Sequence, residues 1–151
     1  MRIFVLIAVL ALLLSALAGT ATAAAKGGAD DGFPPSVKRF NLNGYVLQTS
    51  YTLGRNKGNT FKQTYKKSTV QGVPVKGPAV GMTFPPVDYV ALQVARQTLY
   101  VAWLDPSSHA IVDAFVMNFK TGVVFDYAPG SSKPESSGKV KVLKKGKAKI
   151  K

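Results

Sequence analysis

Five acids, Asp88, Asp105, Asp113, Asp126 and Glu135, together with His109, the only histidine, are the side chains here best suited to acid–base or metal chemistry. Asp105, His109 and Asp113 stand four residues apart, a spacing that on a helix would align three metal-capable groups on one face. Pro106 and the branched, aromatic flanks "TLYVAWL" and "AIVDAFVMNF" argue for two strands joined by "DPSSH" instead. In that hairpin Asp105 and His109 bracket the loop and pin it by a hydrogen bond, and no metal site is expected. Ser107 and Ser108 lie in the turn with neither a nucleophile elbow nor an oxyanion glycine, so a Ser-His-Asp triad is unsupported. "GRNKG" lacks the Lys-Ser or Lys-Thr ending of a phosphate loop. The chain has no cysteine, which excludes thiolate catalysis, cysteine-based zinc sites and iron–sulfur clusters, and no cofactor is expected.

Asp113 is the informative acid. It shares a strand face with Ile111, Phe115, Met117 and Phe119, and an unpaired carboxylate among such groups either finds a partner or takes up a proton. Its neighbours depend on the turn. A three-residue loop, Pro106 to Ser108, places Asp113 with Leu99, Val101 and Trp103. A loop of two or four places it with Tyr100, Ala102 and Leu104, and leaves Trp103 with Val112 and Ala114. Asp113 is then either the orienting polar group of an apolar cavity, or an acid bonded to a tyrosine or to an arginine such as Arg96, or turned to solvent.

The elements around it read as strands. "GYVLQTSYTL" sets Tyr45, Leu47, Thr49, Tyr51 and Leu53 against Val46, Gln48, Ser50 and Thr52, and "TFKQTYKK" sets Phe61, Gln63 and Tyr65 against a wet face with Lys62 and Lys66. "STVQGVPVKGPAVGMTFPPVD" is cut by glycine and proline into at most short edge strands, and "DYVALQVAR" reads as a strand although it contains helix formers. "NFKTGVVFDY" places Gly122 where a turn needs a residue at positive φ. "KVKVL" follows "APGSSKPESSG" as a lysine-protected last edge strand. Roughly eight or nine short strands without an amphipathic helix imply an all-β barrel or sandwich.

The N-terminal "MRIFVLIAVLALLLSALAGTATAAAKGG" has one cation, a long apolar run and a small-residue end, the pattern of a secretory signal peptide cleaved after Ala23 or Ala25. The expectation is a leader at 1–25, a flexible lead-in at 26–39, a barrel at 40–130 and a Ser/Pro linker with edge strand and lysine-rich tail at 131–151. Such a chain is secreted or periplasmic, exported by the general secretory route, with no transmembrane span after cleavage. Its formal net charge of +13 is uneven: Lys139, Lys141, Lys144, Lys145, Lys147, Lys149 and Lys151 fall in one acid-free run. The run reads as a solvated tail or a contact for an anionic envelope surface. It carries no aromatic side chain to stack on bases, so nucleic acid is not an expected partner.

From Tyr89 to Tyr127, "YVALQVARQTLYVAWLDPSSHAIVDAFVMNFKTGVVFDY" resembles the MoaF-like domains of the calycin group. The likeness lies in a tyrosine-led strand, the Tyr100-x-x-Trp103 strand, a short loop, a long apolar strand ending in a polar residue, and a "TG" turn; at Asn118 the family tends to carry aspartate. The resemblance implies a small antiparallel calycin-like β-barrel of about eight strands, related in shape to lipocalins. The expected function is binding of a small, partly apolar ligand in a lumen lined by Tyr45, Tyr51, Tyr100, Trp103, Asp113 and Phe115. A surface-interaction protein working through the lysine tail is the alternative. A barrel enzyme such as a decarboxylase comes last, since it needs an acid and a tyrosine converging in the lumen, for instance Asp113 with Tyr45 or Tyr51.

Overall fold

The computed structural model describes residues 37–150. The leader at 1–25, the lead-in up to residue 36 and Lys151 lie outside the described residues. Nine strands follow one another: β1 (Lys38–Arg39), β2 (Val46–Gly54), β3 (Thr60–Tyr65), β4 (Thr69–Lys76), β5 (Val87–Ala95), β6 (Thr98–Leu104), β7 (Ile111–Asn118), β8 (Val123–Tyr127) and β9 (Ser136–Lys144). Every pairing is antiparallel. The sheet runs β1-β5-β4-β3-β2-β9-β8-β7-β6, and β5 also pairs with β6, so strands β2 to β9 close on themselves in a barrel-like ring. Among the described residues no helix is long and apolar enough to cross a membrane.

Alternation decides which side chains fill the ring. Tyr45, Leu47, Thr49 and Tyr51 are buried, as are Gln63 and Tyr65, and they pack with Val70, Leu99, Val101, Phe115, Met117, Val124 and Val140. Lys62 and Lys66 are exposed, as the period of two requires. Gly122 adopts φ 70°, and the Asn118 side chain accepts the Lys120 and Thr121 N–H groups, which fixes the β7–β8 turn.

Two segments depart from expectation. β4 is a full ladder partner of β3 and meets β5 only at Thr69 and Val70. Beyond those residues its second edge has no strand neighbour among the described residues, which is why Pro74, lacking an N–H, is tolerated inside it. The larger correction concerns the C-terminal segment. β9 is no edge strand, since it bonds β2 on one side and β8 on the other. Its lysines misled because Lys139 and Lys141 point outward while Val140 points into the core. The chain beyond β9 is no free tail either: the Ala148 carbonyl accepts the Tyr45 hydroxyl and Ile150 packs against the core.

Candidate functional site

One cavity of about 350 Å³ lies at the end of the ring where β2 and β6 finish and β3 and β7 begin. Tyr51, Phe61, Trp103 and Phe115 supply its aromatic walls from β2, β3, β6 and β7. Phe84 and Pro85 reach it from the glycine- and proline-rich segment between β4 and β5, beside the free edge of β4, and Phe84 stacks edge-on against Phe61. Arg55 and Asn56, from the β2–β3 turn, and Asp113 supply its polar end.

Trp103 sits where it does because of a glycine. A Cβ on Gly72 would lie 2.9 Å from Trp103 Cη2, so only hydrogen leaves room for the indole against β4. Its ring leans on Phe115 with centroids 5.0 Å apart. The indole N–H is directed toward the Tyr65 hydroxyl without forming a hydrogen bond of ordinary geometry. Tyr65 in turn donates to Gln63 Oε1 (2.9 Å), and Gln63 Nε2 donates to Thr49 Oγ1 (3.3 Å). This buried chain braces the wall on which Trp103 rests.

Asp113 faces Trp103 across the β6–β7 ladder, although the loop has an even number of residues. The four residues 106–109 separate Asp105 from Ala110, whose carbonyl accepts the Asp105 N–H. The ladder then slips by one position between Leu104↔Ile111 and Trp103↔Asp113. A β-bulge thus undoes the parity that the loop alone would impose. His109 takes the left-handed conformation (φ 55°) that ends the turn, and its backbone N–H donates to the Asp105 carbonyl. The Asp105 carboxylate holds the backbone and hydroxyl groups of Ser107 and Ser108, which keeps it well below the usual carboxylate range, the Ser107 hydroxyl contributing most. The bracket is therefore backbone plus serines rather than a histidine side chain.

Asp113 is mostly buried and its ionisation is pushed up to about 9, first by burial and then by a hydrogen bond with Asp126 and the charge of that carboxylate. Asp126 is fully buried on β8, opposite Phe115 and diagonal to Asp113. Asn56 Nδ2 donates to its Oδ2 at 2.6 Å, whereas its buried Oδ1 finds no donor among groups that always carry a hydrogen. A proton on Asp113 is the donor that Oδ1 lacks. Burial and the neighbouring carboxylate thus keep the proton on Asp113 at neutral pH. The other Asp113 oxygen, Oδ1, accepts the Ala114 N–H (3.0 Å). Tyr51, pushed well above its ordinary range by burial and then by the Asp126 carboxylate, keeps its hydroxyl proton. Arg55 is held at the rim by Glu135 (3.1 Å).

The cavity therefore gathers Tyr51, Trp103, Asp113 and Phe115 of the expected lumen set. Tyr45 and Tyr100 are not among its lining residues. Tyr45 lies six residues before Tyr51, about 20 Å along an extended strand, against Phe40. Tyr100 is opposite Leu92 and Val116, on the face of β6 that Leu99, Val101 and Trp103 do not share. Phe61 and Gln63 were legible in the β3 alternation as companions of Tyr51. Arg55, Asn56, Phe84 and Asp126 carried no such signal, being placed by loops and by the diagonal between two strands. Lys139, Lys141, Lys144, Lys145, Lys147 and Lys149 are all exposed.

No family model matches the sequence, and no curated protein matches it. Among solved structures the chain is similar to a crystal structure described as a "putative beta-lactamase" from Burkholderia vietnamiensis, with a TM-score of 0.54 and 20% identity over 70% of this chain and 99% of that one. At that identity the likeness speaks for the fold alone. The chain thus shares an all-β, barrel-like architecture with that protein over nearly the whole of the latter's length.

Proposed function

We propose that this chain is an exported, calycin-type barrel that binds a small, partly apolar molecule in the cavity at the end of its ring. The observation that carries this reading is the cavity itself. A half-open cavity of about 350 Å³ walled mainly by aromatic side chains, with one carboxyl at its polar end, is the composition of a small-molecule site at the lower end of the usual size range. A single-ring or two-ring molecule suits that volume better than a tetrapyrrole. Trp103 is the only tryptophan of the chain and lines the cavity, so intrinsic fluorescence reports occupancy directly. Titration with a panel of phenolic and envelope-derived compounds is expected to give saturable one-to-one quenching together with a raised melting temperature. Gly72→Val, which drives the indole toward the cavity, is expected to weaken binding by about tenfold or more. A panel that moves neither signal would remove the reading.

A second reading, contact with an anionic surface, is favoured by the placement of three lysines. Lys62 and Lys141 flank Gln48 on either side, and Lys139 stands beside them opposite Ser50, all on the outer face of β3, β2 and β9. Neighbouring strands are about 5 Å apart, so these ammonium groups meet one surface together. Retention on phosphatidylglycerol vesicles is expected at low salt, and replacing Lys62, Lys139 and Lys141 with glutamine is expected to abolish it. Equal retention of the triple variant would count against the surface.

A further inference from the structure

The hydrogen-bond inventory at the polar end of the cavity points to the charge of its occupant. Most of the donors there are turned to partners within the protein. Ala114 N–H serves Asp113 Oδ1, Asn56 Nδ2 serves Asp126 Oδ2, and Arg55 is paired with Glu135. Gln63 and Tyr65 are tied to each other and to Thr49. The proton between Asp113 and Asp126 is taken up by Asp126 Oδ1, which is buried and has no other donor. The Tyr51 hydroxyl is turned to Thr49 and the Trp103 indole N–H toward Tyr65, so what this end offers an occupant is chiefly the lone pairs of the Asp113 carboxyl. Around it stand the π-faces of Tyr51, Phe61, Trp103 and Phe115, which attract a cation by their quadrupoles.

We propose that the occupant joins an aromatic or apolar body to one protonated amine, and that the ammonium seats on Asp113 beside Asp126 within the aromatic walls. The proposal rests on the ligand-binding reading above and specifies its substrate class. The one cation among the lining residues for a ligand carboxylate is Arg55, which is more than half exposed and already balanced by Glu135. The net positive charge of the chain does not oppose the choice, because the lysines lie on outer faces and are screened beyond about 8–10 Å, whereas Asp113 touches the ligand.

Seating the ammonium changes the protonation of the site. With a positive charge beside it, Asp113 gives up its proton to solvent, and the ligand keeps all of its own. One proton leaves for each ammonium bound at neutral pH, and affinity rises as pH rises toward the value at which free Asp113 ionises. The groups facing Asp113 are Asp126 from β8, Tyr51 from β2 and Arg55 from the β2–β3 turn, the last with its partner Glu135. Burial keeps Tyr51 a hydroxyl, which leaves Asp113 to titrate.

Three probes of one shape separate the alternatives: 3-phenylpropylammonium, 3-phenylpropan-1-ol and 3-phenylpropanoate, titrated calorimetrically into the chain in phosphate and in Tris. The ammonium is expected to bind at least about tenfold more tightly than either analogue at pH 7, to tighten between pH 6 and 8, and to give heats that differ between the buffers by one released proton. Asp113→Asn is expected to bring the ammonium down to the level of the alcohol. Equal affinity for alcohol and ammonium would overturn the charge assignment and leave the ligand-binding reading standing. Tightest binding of the propanoate would overturn it in favour of Arg55. An ammonium preference that survives in Asp113→Asn, or that comes without proton release in the unaltered chain, would also overturn it. Binding of none of the three would overturn both readings.

Discussion

Asp113→Asn is expected to melt several degrees higher than the unaltered chain at pH 8 and no higher below pH 4. The sign follows from proton counts. In the unfolded chain Asp113 ionises near the ordinary value of about 3.9, whereas in the folded chain burial and Asp126 hold its proton to about 9. Between those limits the folded state binds more protons than the unfolded state, so stability falls as pH rises; below the lower limit both are protonated and the dependence vanishes. Asparagine keeps the shape and a donor for Asp126 Oδ1, and it has no proton to lose. The gain at pH 8 is about 1–3 kcal/mol, or on the order of 5–10 °C, after allowing for solvent and for relaxation of the pair. Melting curves from pH 3 to 9 check it. A parallel pH dependence in the two proteins would show that Asp113 does not hold its proton in the folded chain.

Gly138→Ala is expected to cost at least about 3 kcal/mol, far more than the few tenths that a glycine-to-alanine change makes on an open strand. Its Cβ would stand 2.0 Å from the Ser50 carbonyl oxygen and 2.7 Å from Tyr51 Cα. Both contacts are with backbone, so no rotamer relieves them. β9 would have to leave β2 near the shift in its ladder between Tyr51 and Leu53, and β8 holds it from the other side. Urea denaturation gives the number. Gly130→Ala is the comparison: φ there is 74° but nothing lies within 4 Å of the new methyl, so it pays only the left-handed strain of about 1–2 kcal/mol. Similar losses at both positions would show that backbone conformation, and not crowding at the β2–β9 seam, sets the cost.

How much of this was legible follows from which forces act locally. The inward sets of β2 and β3 could be read from the period of two, and Gly122 from the turn it serves, because both depend on a few adjacent residues. The pairing of Trp103 with Asp113 was legible only as one of two alternatives. Loop parity selects a face, but the bulge beyond Ile111 reverses that selection, and nothing in "AIVDAF" marks it. Asp126 was visible as an acid and invisible as a partner, since its meeting with Asp113 needs the β7–β8 register. β9 was hidden by its own lysines, whose outward placement resembles the protection of an edge.

The pairing of β2 with β9 joins Val46 to Lys144, the first strand of the ring to the last. Joining them spans nearly the whole described chain, a loop whose closure entropy must be overcome before any contact across the seam rewards it. A growing or threading chain therefore carries an open β2 edge and an open β8 edge until residues 136–144 are free. The cavity belongs to the same closure event, because Asp126 and the Arg55–Glu135 pair flank that seam. Chain order thus makes the cavity a late feature of folding: it is complete only once residues 136–144 have paired with both β2 and β8.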